Sequence, residues 1–322
     1  MSDSNSMKDI NTGKIKQYMK EQGEASKSEI ARETKLSFPT VTRILEALCL
    51  TGEIQESGHS NQTGGRSASI YTINDRFSLY LLIRIESGYI TWSIKGLRQN
   101  TVAQNKCRCQ SGLLQELDRL INDLQKKYAN IKSIVIGIGA MILEGSVKET
   151  FFYKDLQGIN IPLHFQNITD IPVLVENDMN IVVMGQWHKS ITRPPSSVVI
   201  YYTSGCLGAG ILINGEVWHG ATNFAGELSF LPISNASLLN NDDVNQECLF
   251  DLYVKIIQIY SVVINPNQII LYQNDYINSQ IDEIRKQCWN LLPHNALPHI
   301  ELSNAFETDY ENGLFALAQK LG

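Results

Sequence analysis

Residues 26–52 read SKSEIARETKLSFPTVTRILEALCLTG and predict two short helices joined by a brief turn. Ser26 and Glu29 have the spacing at which a cap residue and the third helical residue satisfy each other's backbone amides. Ser37 is positioned to cap a second helix, and Pro39 is tolerated there because first-turn amides have no helical acceptor. The order cap, helix, turn, cap, helix indicates a helix-turn-helix.

The second helix is predicted to have one apolar and one polar face. Its apolar residues fall at helical spacing and are predicted to face inward: Val41, Ile44, Leu45 and Leu48. Thr40, Thr42 and Arg43 are then left on the outward face, where their side chains suit phosphates and base edges. We expect this face, with Ser37 and Pro39 at its beginning, to enter the major groove of DNA.

Segments on both sides complete this N-terminal unit. A third helix is predicted upstream from an amphipathic stretch that contains Ile10, Ile15, Tyr18 and Met19. Residues 53–57 and 69–73 have strand character, and the polar loop between them carries Gly64, Gly65 and Arg66. Because glycine lets a backbone approach a surface closely, the loop is predicted to be a wing whose arginine enters a minor groove. The alternative is a helical interaction module with a flexible hairpin.

Composition and charge restrict the class of protein. With 322 residues, of which 43% are hydrophobic, the chain can form a small N-terminal domain and one or two α/β lobes. The formal net charge is −6, and no broad basic surface is predicted, so specific DNA binding is expected to need a dimer. The N-terminus is polar and no run of about 18 apolar residues exists, so the sequence predicts a cytoplasmic protein without a membrane span.

The six cysteines are scattered along the chain. Cys107 and Cys109 form a close pair, but no second pair follows at the spacing of a metal site. Free thiols are therefore favoured over a metal centre.

From residue 78 onward, strand-like runs alternate with amphipathic stretches. The predicted strands are 79–85, 90–94, 133–138, 173–175 and 198–202, with a helix at 113–128. This alternation predicts a mixed sheet flanked by helices in an α/β fold. Two segments stay open: the glycine-rich residues 203–215 suit a phosphate-binding turn or a tight hairpin, and the apolar residues 249–263 suit a core helix or a partner-binding helix.

Three segments carry a resemblance to a known family. They are IPVLVENDMN at 171–180, GAGILING at 208–215 and GATNFAGEL at 220–228. In order and spacing they resemble the three central motifs of the ROK family, which groups sugar kinases with sugar-responsive repressors. Together with the N-terminal unit, they make the chain similar to the repressor branch over essentially its whole length.

The resemblance implies a fold and a domain organisation. The implied fold is a winged helix-turn-helix joined to a two-lobed, actin-like (ribonuclease-H-like) ATPase fold. The implied boundaries are 1–75 for the DNA-binding domain and 76–322 for a degenerate sugar-kinase-like domain, whose lobes span about 76–180 and 181–322.

The resemblance also implies a sugar site. In the family's kinases, the aspartate of the first motif takes a proton from a sugar hydroxyl and the preceding asparagine holds another hydroxyl. These residues correspond to Asp178 and Asn177, and Glu227 matches a second sugar-contacting carboxylate. Short acidic side chains suit this task because they accept hydrogen bonds from paired hydroxyls. The alternative is that Asn177 and Asp178 only cap the helix that begins there.

Several positions depart from the family pattern at the nucleotide site. Arg84 stands where the first phosphate loop has an aspartate, and Glu86 stands at a glycine, where its charge would repel a triphosphate. Tyr272 and Gln273 replace glycines and would fill the space of a base or ribose. We therefore expect no ATP, no other cofactor and no catalytic residues.

The family's zinc site is also changed. Phe230 stands at the position of a histidine that is expected to contact zinc and sugar. Cys248 alone cannot complete a tetrahedral zinc site, so no metal is expected. His188 and His219 lie near the motifs but not at the matching position, and they are interpreted as surface or core histidines.

The sequence thus favours a dimeric repressor that binds double-stranded operator DNA. Its inactive kinase-like domain would sense a sugar or sugar phosphate, or would only dimerise. Two alternatives remain open: a regulator that binds no ligand, and an active sugar kinase that keeps Asp178 as its base.

Overall fold

The computed structural model describes the backbone of residues 2–59, 68–86, 88–109, 112–150, 152–203, 206–233 and 246–322. The chain forms two compact units. The first comprises Met1–Leu81, Ser93–Asn105 and Gln125–Lys132, and the second comprises Leu82–Trp92, Lys106–Leu124 and Ser133–Gly322. The predicted domain boundaries stay predictions.

The N-terminal part of the first unit contains three helices and three short strands. They are α1 Ser2–Gln22, β1 Glu24–Ser26, α2 Lys27–Thr34, α3 Phe38–Thr51, β2 Ile54–His59 and β3 Ser69–Ile73. The capping of α2 is as predicted, because the Ser26 hydroxyl accepts the Glu29 N–H at 3.3 Å and the Glu29 carboxylate accepts the Ser26 N–H at 2.8 Å. Gly52, with φ of 81°, ends α3 in the left-handed conformation.

Apolar side chains of the three helices share one core. Its fully buried members include Ile15, Met19, Ile30, Val41 and Leu45. The predicted inward face of α3 is therefore confirmed. Ile10, in contrast, is 54% exposed. The reason is helical geometry: five residues before Ile15, at 100° per residue, Ile10 lies on the opposite side of α1.

The three strands form a sheet in the order β1-β3-β2, in which β3 is antiparallel to both neighbours. The strand β1 was not predicted, because its three residues Glu24–Ser26 also contain the cap of α2. The strands predicted at 53–57 and 69–73 are present as β2 and β3. Residues 60–67 between them lie outside the described residues.

Two five-stranded sheets organise the rest of the chain. Elements around the first are β4 Leu79–Glu86, β5 Tyr89–Lys95, β6 Thr101–Arg108, α4 Leu113–Lys127, β7 Ile131–Ile138, β8 Met141–Leu143, β9 Ser146–Glu149, α5 Ile161–Phe165 and β10 Val173–Asn177. The sheet order is β10-β7-β4-β5-β6, and β10 runs parallel to β7. Since parallel neighbours bring their carboxyl ends to one edge, the ends of β7 and β10 meet there.

The second sheet is mixed. Its surrounding elements are α6 Asp178–Lys189, β11 Ser196–Thr203, β12 Cys206–Ile213, β13 Glu216–Val217, α7 Gln246–Val263, β14 Gln268–Tyr272, α8 Ile277–Leu291, β15 His299–Ser303 and α9 Phe306–Leu321. The sheet order is β13-β12-β11-β14-β15; β14 is parallel to β11 and β15, and β12 is antiparallel to β11. The predicted α/β class is confirmed.

The glycine-rich segment adopts the hairpin alternative. β11 and β12 pair antiparallel from Ser196 opposite Ile213 to Thr203 opposite Cys206. A Cβ atom at Gly210 would lie 2.1 Å from the carbonyl oxygen of Met179. The glycine is therefore needed because the first turn of α6 packs directly on β12.

Helix α7 adopts the core-helix alternative over most of its length. Its buried residues include Leu252, Tyr253, Val254, Ile256 and Ile257. Val262 and Val263, at its C-terminal end, are largely exposed.

Two further findings concern the described part of the chain. No helix there combines the length and the apolarity that crossing a membrane requires. Cys49, Cys107 and Cys288 are thiols and form no disulfides.

Candidate functional site

The beginning of α3 presents polar side chains to the surface. The Ser37 hydroxyl accepts the Thr40 N–H at 3.4 Å and lies 2.8 Å from the Thr40 hydroxyl, so these two side chains cap the helix together. Pro39 and Arg43 are exposed. Four of the predicted DNA-contacting residues thus lie at or near the N-terminal end of one helix.

Thr42 does not face outward as predicted. Its hydroxyl oxygen is buried and has no hydrogen-bond partner among the described residues. At 100° per residue, position 42 lies at the border of the apolar face that contains Val41, whereas Arg43 lies a further 100° away and opposite the core. The outward orientation of Thr42 was therefore wrong, while that of Arg43 is confirmed. Gly64, Gly65 and Arg66 lie outside the described residues, and their role stays a prediction.

The predicted sugar-binding residues share one cavity of about 450 Å³ in the second unit. Asn177 ends β10, Asp178 begins α6, and Glu227 precedes a short 3-10 helix at Leu228–Phe230. All three line the cavity, as does Gly139 next to the end of β7. The structure therefore brings together residues from two separate motifs of the sequence.

Asn177 performs the capping role that the sequence left open. Its Oδ1 accepts the N–H groups of Met179 at 2.9 Å and Asn180 at 3.3 Å, and its Nδ2 donates to the Ala140 carbonyl at 3.1 Å. These contacts fix the amide plane at the cavity wall. Asn177 thus both caps α6 and lines the cavity.

Asp178 and Glu227 are two carboxyl groups whose pKa values are raised above the ordinary range. Burial raises the pKa of Asp178, against the opposing effects of the hydrogen bond from the Met179 N–H and of the Arg84 charge. Burial, and then the charge of Asp178, raises the pKa of Glu227 to about 6. The Glu227 carboxylate accepts no hydrogen bond from the described residues, so it is available to a ligand hydroxyl.

Arg84 also lines the cavity, and its charge is neutralised from within the second unit. It donates to Glu307 and, over 2.5 Å, to Glu86. Its guanidinium lies over the Tyr310 ring at 4.6 Å and the Phe306 ring at 5.5 Å. The sequence revealed the substitution at position 84 but not these partners, because Glu307 and the two rings lie on α9.

A buried polar pair occupies the end of β14. The hydroxyl of Tyr272, which has no exposed surface, donates to Asp309 over 2.8 Å, and Lys189 lies 3.5 Å from the same carboxyl group. Burial raises the pKa of Asp309 above its ordinary value. Tyr272 was predicted to fill space at this point, but Asp309 had no sequence signal because it lies within an amphipathic helix.

His219 and Glu176 form a second pair that the sequence did not indicate. Their Nε2 and Oε2 atoms are 3.0 Å apart. The hydrogen bond to Glu176 raises the pKa of His219, although burial opposes this. Glu176 Oε1 also accepts from the Asn180 side chain at 3.0 Å and from the Asn177 N–H at 2.8 Å. The pair therefore supports the cap of α6.

Aromatic side chains line the cavity where the family has its zinc-binding histidine. Phe230 is 59% exposed, and its ring centroid lies 5.1 Å from that of Phe224. A phenyl ring cannot ligate a metal. Within the described residues, no group of three or more histidine, cysteine, aspartate or glutamate side chains could hold a metal ion.

Comparison with known proteins gives consistent matches. The ROK family matches residues 84–249. The xylose repressor of Staphylococcus xylosus is 25% identical over 284 residues, which cover 81% of this chain and 71% of that protein. The DNA-binding transcriptional repressor Mlc of Escherichia coli K12 is 25% identical over 240 residues, which cover 69% of this chain. The chain spans 57% of the length of Mlc.

Solved structures share the fold. The crystal structure of a ROK family transcriptional regulator, a homolog of the E. coli Mlc protein, superposes with a TM-score of 0.66 at 18% sequence identity. The match covers 98% of this chain and 99% of that one. The α/β architecture is therefore that of known ROK proteins.

Proposed function

We propose that this chain, which belongs to the ROK family, is a sugar-responsive transcriptional repressor that binds operator DNA as a homodimer. The N-terminal helices and strands act as a winged helix-turn-helix, and the kinase-like domain acts as an inactive sensor. The observation that carries the proposal is the doubly capped helix pair α2 and α3, which presents Arg43 on a solvent-exposed face.

The geometry of α3 suits a recognition helix. Its N-cap and first two turns expose Ser37, Pro39 and Arg43, and N-terminal residues of a recognition helix are those that contact base edges. A helix N-terminus also attracts phosphate through its free amides. We assign Gly64, Gly65 and Arg66 to the wing, where the arginine reaches a minor groove.

The charge of the chain favours binding as a dimer. A formal net charge of −6 provides little of the nonspecific phosphate attraction on which monomeric binders rely. Two copies would place two recognition helices in half-sites about one helical turn apart. A ligand in the sensor would then act by changing that spacing.

The nucleotide site favours a protein without kinase activity. Both terminal nitrogens of Arg84 are engaged by carboxylates, and Glu86 would lie beside the phosphates of a nucleotide. The buried Tyr272 ring fills space at the end of β14. Asn177, Asp178 and Glu227 are kept in one cavity, and we assign them to sugar binding without phosphoryl transfer.

The cavity also supports a second candidate function, an active sugar kinase. Asp178 lies where the family's kinases have their base, and its raised pKa would suit proton transfer. Release of ADP with a hexose, abolished by Asp178→Asn, would favour the kinase over the repressor.

The repressor proposal is tested by DNA binding. Fluorescence anisotropy at low salt, with DNA from upstream of the protein's own operon, should give a saturable complex that unlabelled random DNA does not displace. Arg43→Ala should weaken that complex by about 1–3 kcal/mol, because a bidentate base contact would be lost. The matched control is Arg119→Ala, which removes an exposed arginine from α4 and should leave the affinity unchanged. Failure of the unaltered protein to bind any upstream fragment contradicts the proposal.

A further inference from the structure

We propose that the cavity binds a non-phosphorylated sugar, whose apolar ring face packs on Phe224 and Phe230, and that its carboxylates exclude sugar phosphates. The inference rests on the sensor role assigned above and names the class of its ligand. Three observations support it: the charge of the cavity wall, the carboxylate of Glu227 that has no hydrogen-bond partner among the described residues, and the exposed rings of Phe224 and Phe230.

The ionisable side chains that line the cavity are mostly acidic. Among the described residues that line it, Arg84 is the single cation, whereas four carboxylates are present: Glu86, Glu149, Asp178 and Glu227. Arg84 is already engaged by Glu86 and by Glu307. A phosphate ester carries nearly two negative charges at neutral pH and would enter without a free cation to receive it. Its repulsion is strongest close to Asp178 and Glu227, because like charges interact strongly where water is scarce.

The same carboxylates suit the hydroxyl groups of an uncharged sugar. An ionised carboxylate only accepts hydrogen bonds, and that of Glu227 accepts none from the described residues. Asp178 uses Oδ1 for the Met179 N–H at 2.8 Å. Tyr310 lines the cavity as well, and its buried hydroxyl has no partner among the described residues. A volume of about 450 Å³ is in the range of small-molecule sites.

Phe224 and Phe230 provide an apolar surface on the same cavity. Their side chains are 44% and 59% exposed, and their rings are tilted by 57° with centroids 5.1 Å apart. Contiguous exposed apolar surface with a polar rim is typical of ligand-binding grooves. The face of a pyranose ring is made of C–H groups, so it can cover these rings while the hydroxyl groups at its edge reach Asp178 and Glu227.

The experiment is isothermal titration calorimetry of the full chain with matched ligand pairs: D-glucose and glucose 6-phosphate, N-acetylglucosamine and its 6-phosphate, and D-xylose with inorganic phosphate as the anion control. At least one unmodified sugar should bind, and its phosphate ester should bind at least about tenfold more weakly because of the carboxylates. Glu227→Gln should reduce that ratio. Glu283→Gln removes the same charge from α8, away from the cavity, and should leave the ratio unchanged.

The aromatic contact is tested with the same sugar. Phe230→Ala should weaken its binding by about three- to tenfold, the range expected for one aromatic contact. Phe230→Tyr keeps the ring and should retain the affinity. Trp289→Ala, which removes an exposed aromatic residue from α8, is the control and should have no effect.

Three results overturn the inference. They are a phosphate ester that binds as tightly as its parent sugar or more tightly, an affinity that Phe230→Ala leaves unchanged, and no heat with any sugar. DNA binding is measured separately by anisotropy, so failure of the ligand assignment is distinguishable from failure of the repressor proposal.

Discussion

The helix pair α2 and α3 and the cavity of the second unit are stabilised over very different distances along the chain. In the helix pair, Ser26 bonds to Glu29 and Ser37 bonds to Thr40, each three residues away. In the cavity, Arg84 bonds to Glu307, 223 residues away. Each capped helix begins where its own sequence specifies, whereas the cavity exists only when distant elements are packed. The effects of substitutions in the two regions should therefore differ in magnitude and in the property that changes.

The largest effect is expected where the backbones of α6 and α9 pack directly against each other. A Cβ atom at Gly313 on α9 would lie 1.9 Å from the carbonyl oxygen of Ile181 on α6. Gly313→Ala should lower the free energy of unfolding by about 3 kcal/mol, because two helices must separate to admit one methyl group. Urea denaturation followed by circular dichroism measures the change.

Gly13→Ala is the control for this substitution. Gly13 lies in α1, and an added Cβ there would meet no heavy atom within 4 Å. Alanine has the higher helix propensity, so a gain of up to about 1 kcal/mol is expected. Equal stability of the two variants would show that long-range packing does not dominate the second unit.

The sequence predicted the local features well because their signals are adjacent residues. The caps Ser26 and Ser37 are visible as short patterns, and both are present in the structure. The family motifs also predicted that Asn177, Asp178 and Glu227 belong together, and they line one cavity.

Other contacts had no sequence signal. Glu307 and Tyr310, which enclose Arg84, lie in an ordinary amphipathic helix, and the pattern of such a helix specifies only its buried face. The predicted outward orientation of Thr42 was wrong for a related reason. A residue at the border of an apolar stripe can point either way, and packing decides between the two.

An effect of intermediate size on stability is expected from the ionisation of Glu227. The pKa of this group is about 6 in the folded protein and 4.5 in the absence of the fold, so the folded state holds its proton more tightly. Ionisation of Glu227 therefore lowers the free energy of unfolding as the pH rises from about 4.5 to about 6. Above pH 6 the whole of this loss remains. A shift of this size corresponds to about 2 kcal/mol.

Glu227→Gln should remove this part of the pH dependence. The variant should be about 2 kcal/mol more stable than the unaltered protein at pH 7, and the difference should vanish below pH 4.5. Urea midpoints measured from pH 4 to pH 8 give both curves, and Glu283→Gln serves as the exposed control. Parallel curves for the variant and the unaltered protein would mean that neither burial nor Asp178 perturbs this carboxyl group.

The smallest effect is expected at the cap of α3. Ser37→Ala removes the side chain that accepts the Thr40 N–H, and the cost should be about 1 kcal/mol. Ser37→Asp retains an acceptor and adds a negative charge at the helix N-terminus, so stability should be kept. That same charge would face the DNA phosphates, and Ser37→Asp should therefore weaken operator binding although it preserves the fold. If Ser37→Asp were to bind DNA normally, the N-terminal turn of α3 would not contact the phosphate backbone, and the reading surface would have to lie further along the helix, from Arg43 onward.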